Sequence, residues 1–406
     1  MQVAGIITEY NPMHSGHLYL LERGRAILGR ETAFLCVMSG NFVQRGDFAL
    51  LRKHARARAA VESGVDLVLE LPLPWAVSSA EGFADGGIQT IMATGVVDTL
   101  LFGSECGDTA ALGRVAAALE SPEFSDCLQQ ELPGAVSFAA ARQRAVASLV
   151  GWEDASLLAA PNNILGVEYC RALLRHSSGI RPVTVPREGS GHDGELQANA
   201  HPSASAVRAL LRAGQREAAL ALMPPAMRTA YEAEEAAGRA PVFIERSERA
   251  ILARLRSMGE EDFAALDQGR EGLWNRLYAA SRKACTLEEL LEMAKTKRHA
   301  RARLRRMILW AYLGMSAADF HGRVPYLRPL AANETGRRLL AQMRKSVPVL
   351  TRPSQVRRMD SGARRLFELE ARATDLYTLA YPDLTAAHGG AEWREGPVIL
   401  EGEPPH

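Results

Sequence analysis

Two histidines three residues apart, His14 and His17, flank Ser15 and Gly16 in the run Asn11-Pro12-Met13-His14-Ser15-Gly16-His17. These residue types at this spacing suit phosphate chemistry. Paired imidazoles can donate hydrogen bonds to phosphate oxygens as negative charge builds during displacement at phosphorus. Gly16 lets backbone and ligand approach closely. If the run opens a helix, the unpaired amides and positive dipole end of that helix add to the anion site. Such a site would stabilise attack at the α-phosphate of a nucleotide without a covalent nucleophile. A zinc site is the weaker reading of the same histidines, because no third ligand lies nearby in sequence.

A frame must hold this run in place. Val3 to Thr8 is short, apolar and rich in β-branched residues, and it ends at Glu9-Tyr10-Asn11-Pro12. It predicts a buried strand followed by a turn. A helix is predicted from about His17 to Leu28. Thr32 to Met38, Asp66 to Leu71, Thr99 to Phe102 and Arg181 to Val185 predict further strands, with helices over Lys53 to Ser63 and Ser79 to Thr94. This alternation predicts an α/β fold, a Rossmann-like parallel sheet with helices on both faces. Ligands of such sheets bind outside the carboxyl ends of the strands. The histidine run and the turn Gly103-Ser104-Glu105 are therefore expected to be neighbours around one crevice. Glu105 suits either a ligand-orienting role or a helix N-terminus that favours acids.

The chain has 406 residues, more than one core usually serves, so two domains are expected. The expected division is residues 1–200 for the nucleotide-handling sheet and 201–406 for a mainly helical domain with a loosely ordered tail. The net charge of +1 sums a front half of −7 and a back half of +8. From about Ser203 onward Ala, Leu, Arg and Glu dominate, and long helices such as Val207 to Leu222 and Leu287 to Leu313 are predicted. The amino terminus has no basic n-region or apolar core of a signal peptide. No apolar stretch is long enough for a membrane span. The five cysteines are scattered without a CxxC pair, which speaks against a disulfide framework or structural zinc. A cytoplasmic protein with no membrane partner is expected.

Between Met293 and Arg306 stand Lys295, Lys297, Arg298, Arg301, Arg303, Arg305 and Arg306, with no acidic residue. A solvated helix face normally interleaves both signs, so this run suits the phosphate backbone of folded RNA. Lys295, Lys297, Arg298, Arg301 and Arg305 are the candidate RNA contacts, together with Arg45 in the polar loop Gln44-Arg45-Gly46. The histidine run alone fits a ligase acting on RNA and an adenylyltransferase acting on a small phosphorylated cofactor precursor equally well. The basic helical half separates them, since a cofactor enzyme does not need it.

A histidine pair around glycine after the first strand resembles the HxGH nucleotidyltransferase superfamily related to class I aminoacyl-tRNA synthetases. That resemblance gives Ser203-Ala204-Ser205-Ala206-Val207-Arg208 the part of a second signature, in which Ser203, Ser205 and Arg208 hold the β- and γ-phosphates of leaving pyrophosphate. Capping the following helix is an equally good reading of the serines.

Five motifs in order resemble one narrower family, the bacterial tRNA(Met) cytidine acetate ligases. They are Gly5 to His17, Met38-Ser39-Gly40-Asn41-Phe42-Val43-Gln44-Arg45-Gly46, Asp66 to Pro72, Phe102-Gly103-Ser104-Glu105 and Pro161-Asn162-Asn163-Ile164-Leu165-Gly166-Val167-Glu168-Tyr169. The match is collinear over about residues 1–212 and weaker at Lys295 to Gly314 and Tyr326 to Lys345. It departs from the family at Met13, Ser15 and Leu20, where Phe, Asn and His are usual, and at Gly191 before His192-Asp193. The resemblance implies an ATP-dependent ligase that activates acetate as acetyl-adenylate and acetylates the wobble cytidine of elongator tRNA(Met). It implies an ATP site of Ile7, Thr8, Glu9, Tyr10, Asn11, Pro12, Met13, His14, Ser15, Gly16, His17, Leu18, Tyr19 and Leu20, with Gly103, Asn162 and Arg187. There Asn162 would read an adenine or ribose edge, and Arg187 would meet phosphate or acyl-adenylate oxygens. Magnesium is expected with ATP, with no ligand set evident.

Overall fold

The computed structural model describes residues 1–187, 203–266, 272–296, 300–320, 322–343 and 347–401. Five strands form a parallel sheet: β1 (Val3–Thr8), β2 (Ala33–Ser39), β3 (Leu67–Leu71), β4 (Thr99–Ser104) and β5 (Arg181–Pro186). Their spatial order is β5-β4-β1-β2-β3. Strands buried on both faces read as continuous apolar runs, which is why Val3–Thr8 and Ala33–Ser39 show no polar alternation. Alternate residues serve opposite faces. Val3, Ile7, Leu35, Val37, Leu69 and Phe102 pack into one core, and Ala4, Ile6, Phe34, Cys36, Val68 and Leu101 into another.

Helices α1 (Ser15–Leu28), α2 (Lys53–Glu62), α3 (Ala80–Thr94) and α4 (Pro161–Arg175) belong to this front half. The chain runs outward from β1 through β2 to β3, then returns to place β4 on the other side of β1. That reversal makes the carboxyl ends of β1 and β4 the switch point of the sheet, the place where sheets of this kind bind their ligands.

The back half departs from a purely helical layout. Helices α5 (Ala204–Arg212), α6 (Leu287–Ala294), α7 (Arg301–Leu313) and α8 (Ser361–Thr378) are present. Two strands accompany them. β6 (Pro329–Ala332) pairs antiparallel with β3, and β7 (Val398–Ile399) pairs parallel with β6, so the back half completes the sheet. The tail expected to be loosely ordered is fixed through Leu400, whose N–H donates to the Ala332 carbonyl at 2.9 Å. Its anchor is Glu392, buried against Lys53 of α2 at 2.5 Å and against Arg328. Trp393 packs edge-on against Phe367, centroids 4.6 Å apart.

Two predicted helices are also divided. Val207 to Leu222 breaks at Gly214, whose φ of +73° ends α5 before a second helix, Arg216–Ala221. Leu287 to Leu313 breaks because Lys295 and Ala300 are extended, with ψ of 144° and 138°. The third core gathers α7 and its neighbours around Phe42 and Phe48, from a small hairpin formed by Phe42–Val43 and Asp47–Phe48.

Candidate nucleotide site and its basic approach

Helix α1 starts two residues earlier than expected, which places the histidines in its first turn. His14 is the N-cap, and its Nδ1 accepts from the Gly16 N–H at 3.1 Å. The His14 N–H in turn donates to His17 Nδ1 at 3.2 Å. Both rings thus use Nδ1 as an acceptor, which leaves the proton of each neutral ring on Nε2 as a donor. The ring centroids are 3.9 Å apart, and Tyr10 meets His17 edge-on at 4.9 Å. Burial, then the adjacent His14 and the charge of Arg187, hold the His17 pKa well below 6.5. His17 is therefore neutral at physiological pH. No acidic residue occupies the first turn of α1, so nothing there offsets its positive dipole end.

The remaining candidates converge on this loop. Ile7 and Thr8 close β1, and Glu9 to Met13 form the turn. Ser15, Leu18, Tyr19 and Leu20 lie in the first turns of α1. Arg208, in the first turns of α5, donates to the Asn11 carbonyl at 2.6 Å and lies 3.5 Å from Ser205 Oγ. Its Nε is buried without a hydrogen-bond partner among the described residues. Burial lowers its pKa, opposed by Asp47 and Glu9. Ser203 caps α5, its Oγ accepting from the Ala206 N–H at 3.1 Å.

Across the switch point, Glu105 binds the start of α4. Its carboxylate accepts from Asn162 N at 3.1 Å, Asn162 Nδ2 at 2.7 Å and Asn163 N at 2.7 Å. In return Asn163 Oδ1 accepts from the Glu105 and Cys106 N–H groups at 2.9 and 3.1 Å. Glu105 thus acts as the helix-start acid, and it orients Asn162 so that Oδ1 lies 3.5 Å from the Arg187 guanidinium. Arg187 is tied to β4 through its N–H on the Ser104 carbonyl at 2.9 Å. A Cβ on Gly103 would come within 3.5 Å of the Arg187 stem, so this wall of the crevice is bare backbone beside an arginine. Gly103, Asn162 and Arg187 form one group.

Sequence reasoning missed Arg56. It is fully buried on α2 and donates to the carbonyls of Leu51, Glu9, Ser39 and Gly40. It thereby ties the ends of β1 and β2 together under the histidine loop. Burial pulls its pKa down to about 10, still charged. Its signal in the sequence was faint, an arginine in an alanine-rich helix.

The basic run is less uniform in space than in sequence. Lys297 and Arg298 lie outside the described residues, as does His192. Lys295 is not on a helix and sits 3.5 Å from Glu292. Arg301 pairs with Glu288 and, at 2.8 Å, with Glu292, both from α6. Arg306 is half-buried, its NH1 3.4 Å from the Gln44 carbonyl, and desolvation lowers its pKa to about 10. Arg305 stays one-third exposed, and Arg45 is exposed at the hairpin tip. Among the described residues no group of three or more His, Cys, Asp or Glu could hold a metal ion, and no helix is long and apolar enough to cross a membrane.

A family model described as HIGH Nucleotidyl Transferase matches residues 1–392. Proteins named tRNA(Met) cytidine acetate ligase match along nearly the whole chain. The Acetivibrio thermocellus protein is 36% identical over 98% of this chain and 100% of its own length. The Alkaliphilus metalliredigens protein is 37% identical over 94% of each. Among solved structures, Thermotoga maritima TmcAL bound with alpha-thio ATP superposes with a TM-score of 0.91 at 33% identity, covering 99% of this chain and 100% of that one. The apo form of the same protein gives 0.93 at 34% identity with the same coverage.

Proposed function

The chain belongs to the HIGH nucleotidyl transferases, and among them to the tRNA(Met) cytidine acetate ligases; from that membership and its site we propose how it joins acetate to tRNA at the expense of ATP. A carboxylate oxygen of acetate attacks the α-phosphorus of ATP, and the bond to the β-phosphate bridging oxygen breaks. Acetyl-adenylate and pyrophosphate result. The exocyclic amine of the wobble cytidine of elongator tRNA(Met) then attacks the acetyl carbon. AMP leaves, the amine loses a proton, and N4-acetylcytidine forms.

The observation that carries this reading is the histidine pair, whose tautomers are set by backbone amides so that both rings are neutral Nε2–H donors. Fixed donors aimed at developing charge require no reorganisation as the pentacoordinate phosphorus forms. Arg208, with Ser203 and Ser205, would hold the β- and γ-phosphates and ease pyrophosphate departure. Asn162 and Arg187 would hold the adenosine or acyl-adenylate on the far wall, beside Gly103. Magnesium would arrive on the nucleotide phosphates, with no resident protein cage required. The exposed Arg45 and the partly exposed Arg305 would meet tRNA phosphates.

The test incubates the protein with ATP, labelled acetate and a tRNA(Met) transcript. Label is expected in cytidine, with AMP and pyrophosphate released. Absence of label in tRNA, with AMP joined to a small molecule instead, would overturn the reading.

A further inference from the structure

We propose that the RNA backbone is gripped by Arg212 and Arg305, held at the buried carboxylate of Asp47, together with Arg45 on the same hairpin, and not along the length of α7. This rests on the tRNA reading above and names a contact, Arg212, that the basic run does not contain.

Asp47 ends the hairpin tip and is 5% exposed. One of its oxygens accepts from the Phe48 N–H at 2.9 Å. The other lies 3.9 Å from Arg212 NH2 and 4.0 Å from Arg305 NH1. Two helices, α5 and α7, therefore bring arginines to one carboxylate oxygen from two sides. Neither comes close enough for a tight pair. Arg45 is two residues away on the same hairpin. Even after the partly exposed Glu245, 3.2 Å from Arg212, is included, arginine charge outweighs carboxylate charge at this spot. An excess of partly exposed cations held at fixed positions is what a polyanion answers.

Specific contacts fix these positions. The Arg212 guanidinium lies over the Phe243 ring, 4.5 Å from its centroid. Gly46 has a φ of +73°, and a Cβ there would stand 2.6 Å from the backbone of Arg305 and Arg306. The hairpin tip, and with it Arg45, is thus seated directly on α7. Meanwhile Arg301 and Lys295 face the carboxylates of α6, and the half-buried Arg306 turns to the Gln44 carbonyl. The cations that α7 has to offer are concentrated at its Arg305 end.

Arg212 follows Arg208 by four residues on α5, about 6 Å along one helix face. Arg208 bonds the histidine loop. An RNA phosphate seated at the cluster would lie one helical turn from the triphosphate arginine, where an extruded base could enter the crevice.

The test measures binding of a tRNA(Met) transcript to the full chain across a salt series, with the melting temperature followed in parallel. The double variant Arg45→Gln/Arg212→Gln should lower the slope of log affinity against log salt by about two. The double lysine variant should restore most of it. Arg301→Gln should change the slope by well under one, and Asp47→Asn should tighten binding several-fold at low salt. If the double glutamine variant melts normally and keeps the wild-type slope, the cluster is not the grip, while the ligase reading stands. If the wild-type protein binds no tRNA and acetylates none, the ligase reading falls and takes the cluster with it.

Discussion

The histidines of the candidate site work as hydrogen-bond donors because backbone amides fix their tautomers and burial keeps His17 uncharged. His17→Asn keeps a side-chain amide near the same place but loses the edge contact with Tyr10 and the bond from the His14 amide. It is expected to slow acetyl-adenylate formation by about 10²–10³-fold, as removal of a single fixed donor does elsewhere, with tRNA affinity unchanged. ATP–pyrophosphate exchange measures the first and filter binding the second; equal loss of both would mean a collapsed site. A pH consequence follows with a definite sign. Burial lowers the His17 pKa well below 6.5, so acidification from pH 8 to 6 does not protonate it. The adenylation rate at saturating ATP should show no His17 limb in that window. A limb centred near 6.5 that disappears in His17→Asn would contradict this account. Folding obeys the same sign. His17 favours the folded state above the unfolded histidine value near 6.5, and that contribution fades as pH falls below it.

Among the elements, the hairpin Phe42–Phe48 does more than its length suggests. It touches α7 through Gly46, the histidine loop through the Gln44 N–H on Glu9 at 2.8 Å, and α5 through Asp47. Gly46→Ala meets both a positive φ and the backbone of α7. It should destabilise the protein by about 1–3 kcal/mol and weaken tRNA binding more than ATP binding, read by thermal melting and two titrations. A variant that melts like wild type would show that the tip can move off the helix. Neither this hairpin nor the break between α6 and α7 was legible in the sequence. Two-residue strands carry no periodicity. The break at residues 295–300 falls within a run of helix-favouring cations. The front-half strands were legible because parallel interior strands are uninterrupted apolar runs between turn residues, as at Val3–Thr8 before Asn11-Pro12. The strands before His14 and at Gly103 are paired neighbours in one parallel sheet, and their alternation with helices was legible from the pattern of elements. The carboxylates of Glu288 and Glu292 that face Arg301 were not, because a fourteen-residue window cannot see a neighbouring helix.

Across the whole molecule, a buried charge cluster joins the halves. Lys53 and Glu70 from the front meet Arg328, Glu370 and Glu392 from the back. Burial, reinforced by the charge of Glu70, pushes the Glu370 pKa up to about 7, although Lys53 and Arg328 pull the other way. Glu370 accepts from Tyr326 OH at 2.8 Å and from the Leu73 N–H at 3.2 Å. A carboxyl with a raised folded pKa favours the folded state most at low pH, and the contribution declines between the ordinary carboxylate range and about 7. Glu370→Gln, which cannot ionise, should therefore flatten the fall in melting temperature between pH 5 and 8 and be relatively more stable at pH 8. Parallel pH dependence in both proteins would assign the titration to another group.

Glu392 also has a consequence for the order in which the chain is made. Lys53 and Arg328 are both at most 4% exposed, and Glu392 reaches them from farther along the chain. During synthesis Lys53 waits more than three hundred residues for this partner, and the last strand of the sheet emerges later still. A chain halted before Glu392 would carry buried cations short of one counter-charge and would leave β6, not β7, as the edge of the sheet. A chain cut before Glu392 is therefore expected to melt at a lower temperature than the full chain, which a truncation ending at residue 391 would test.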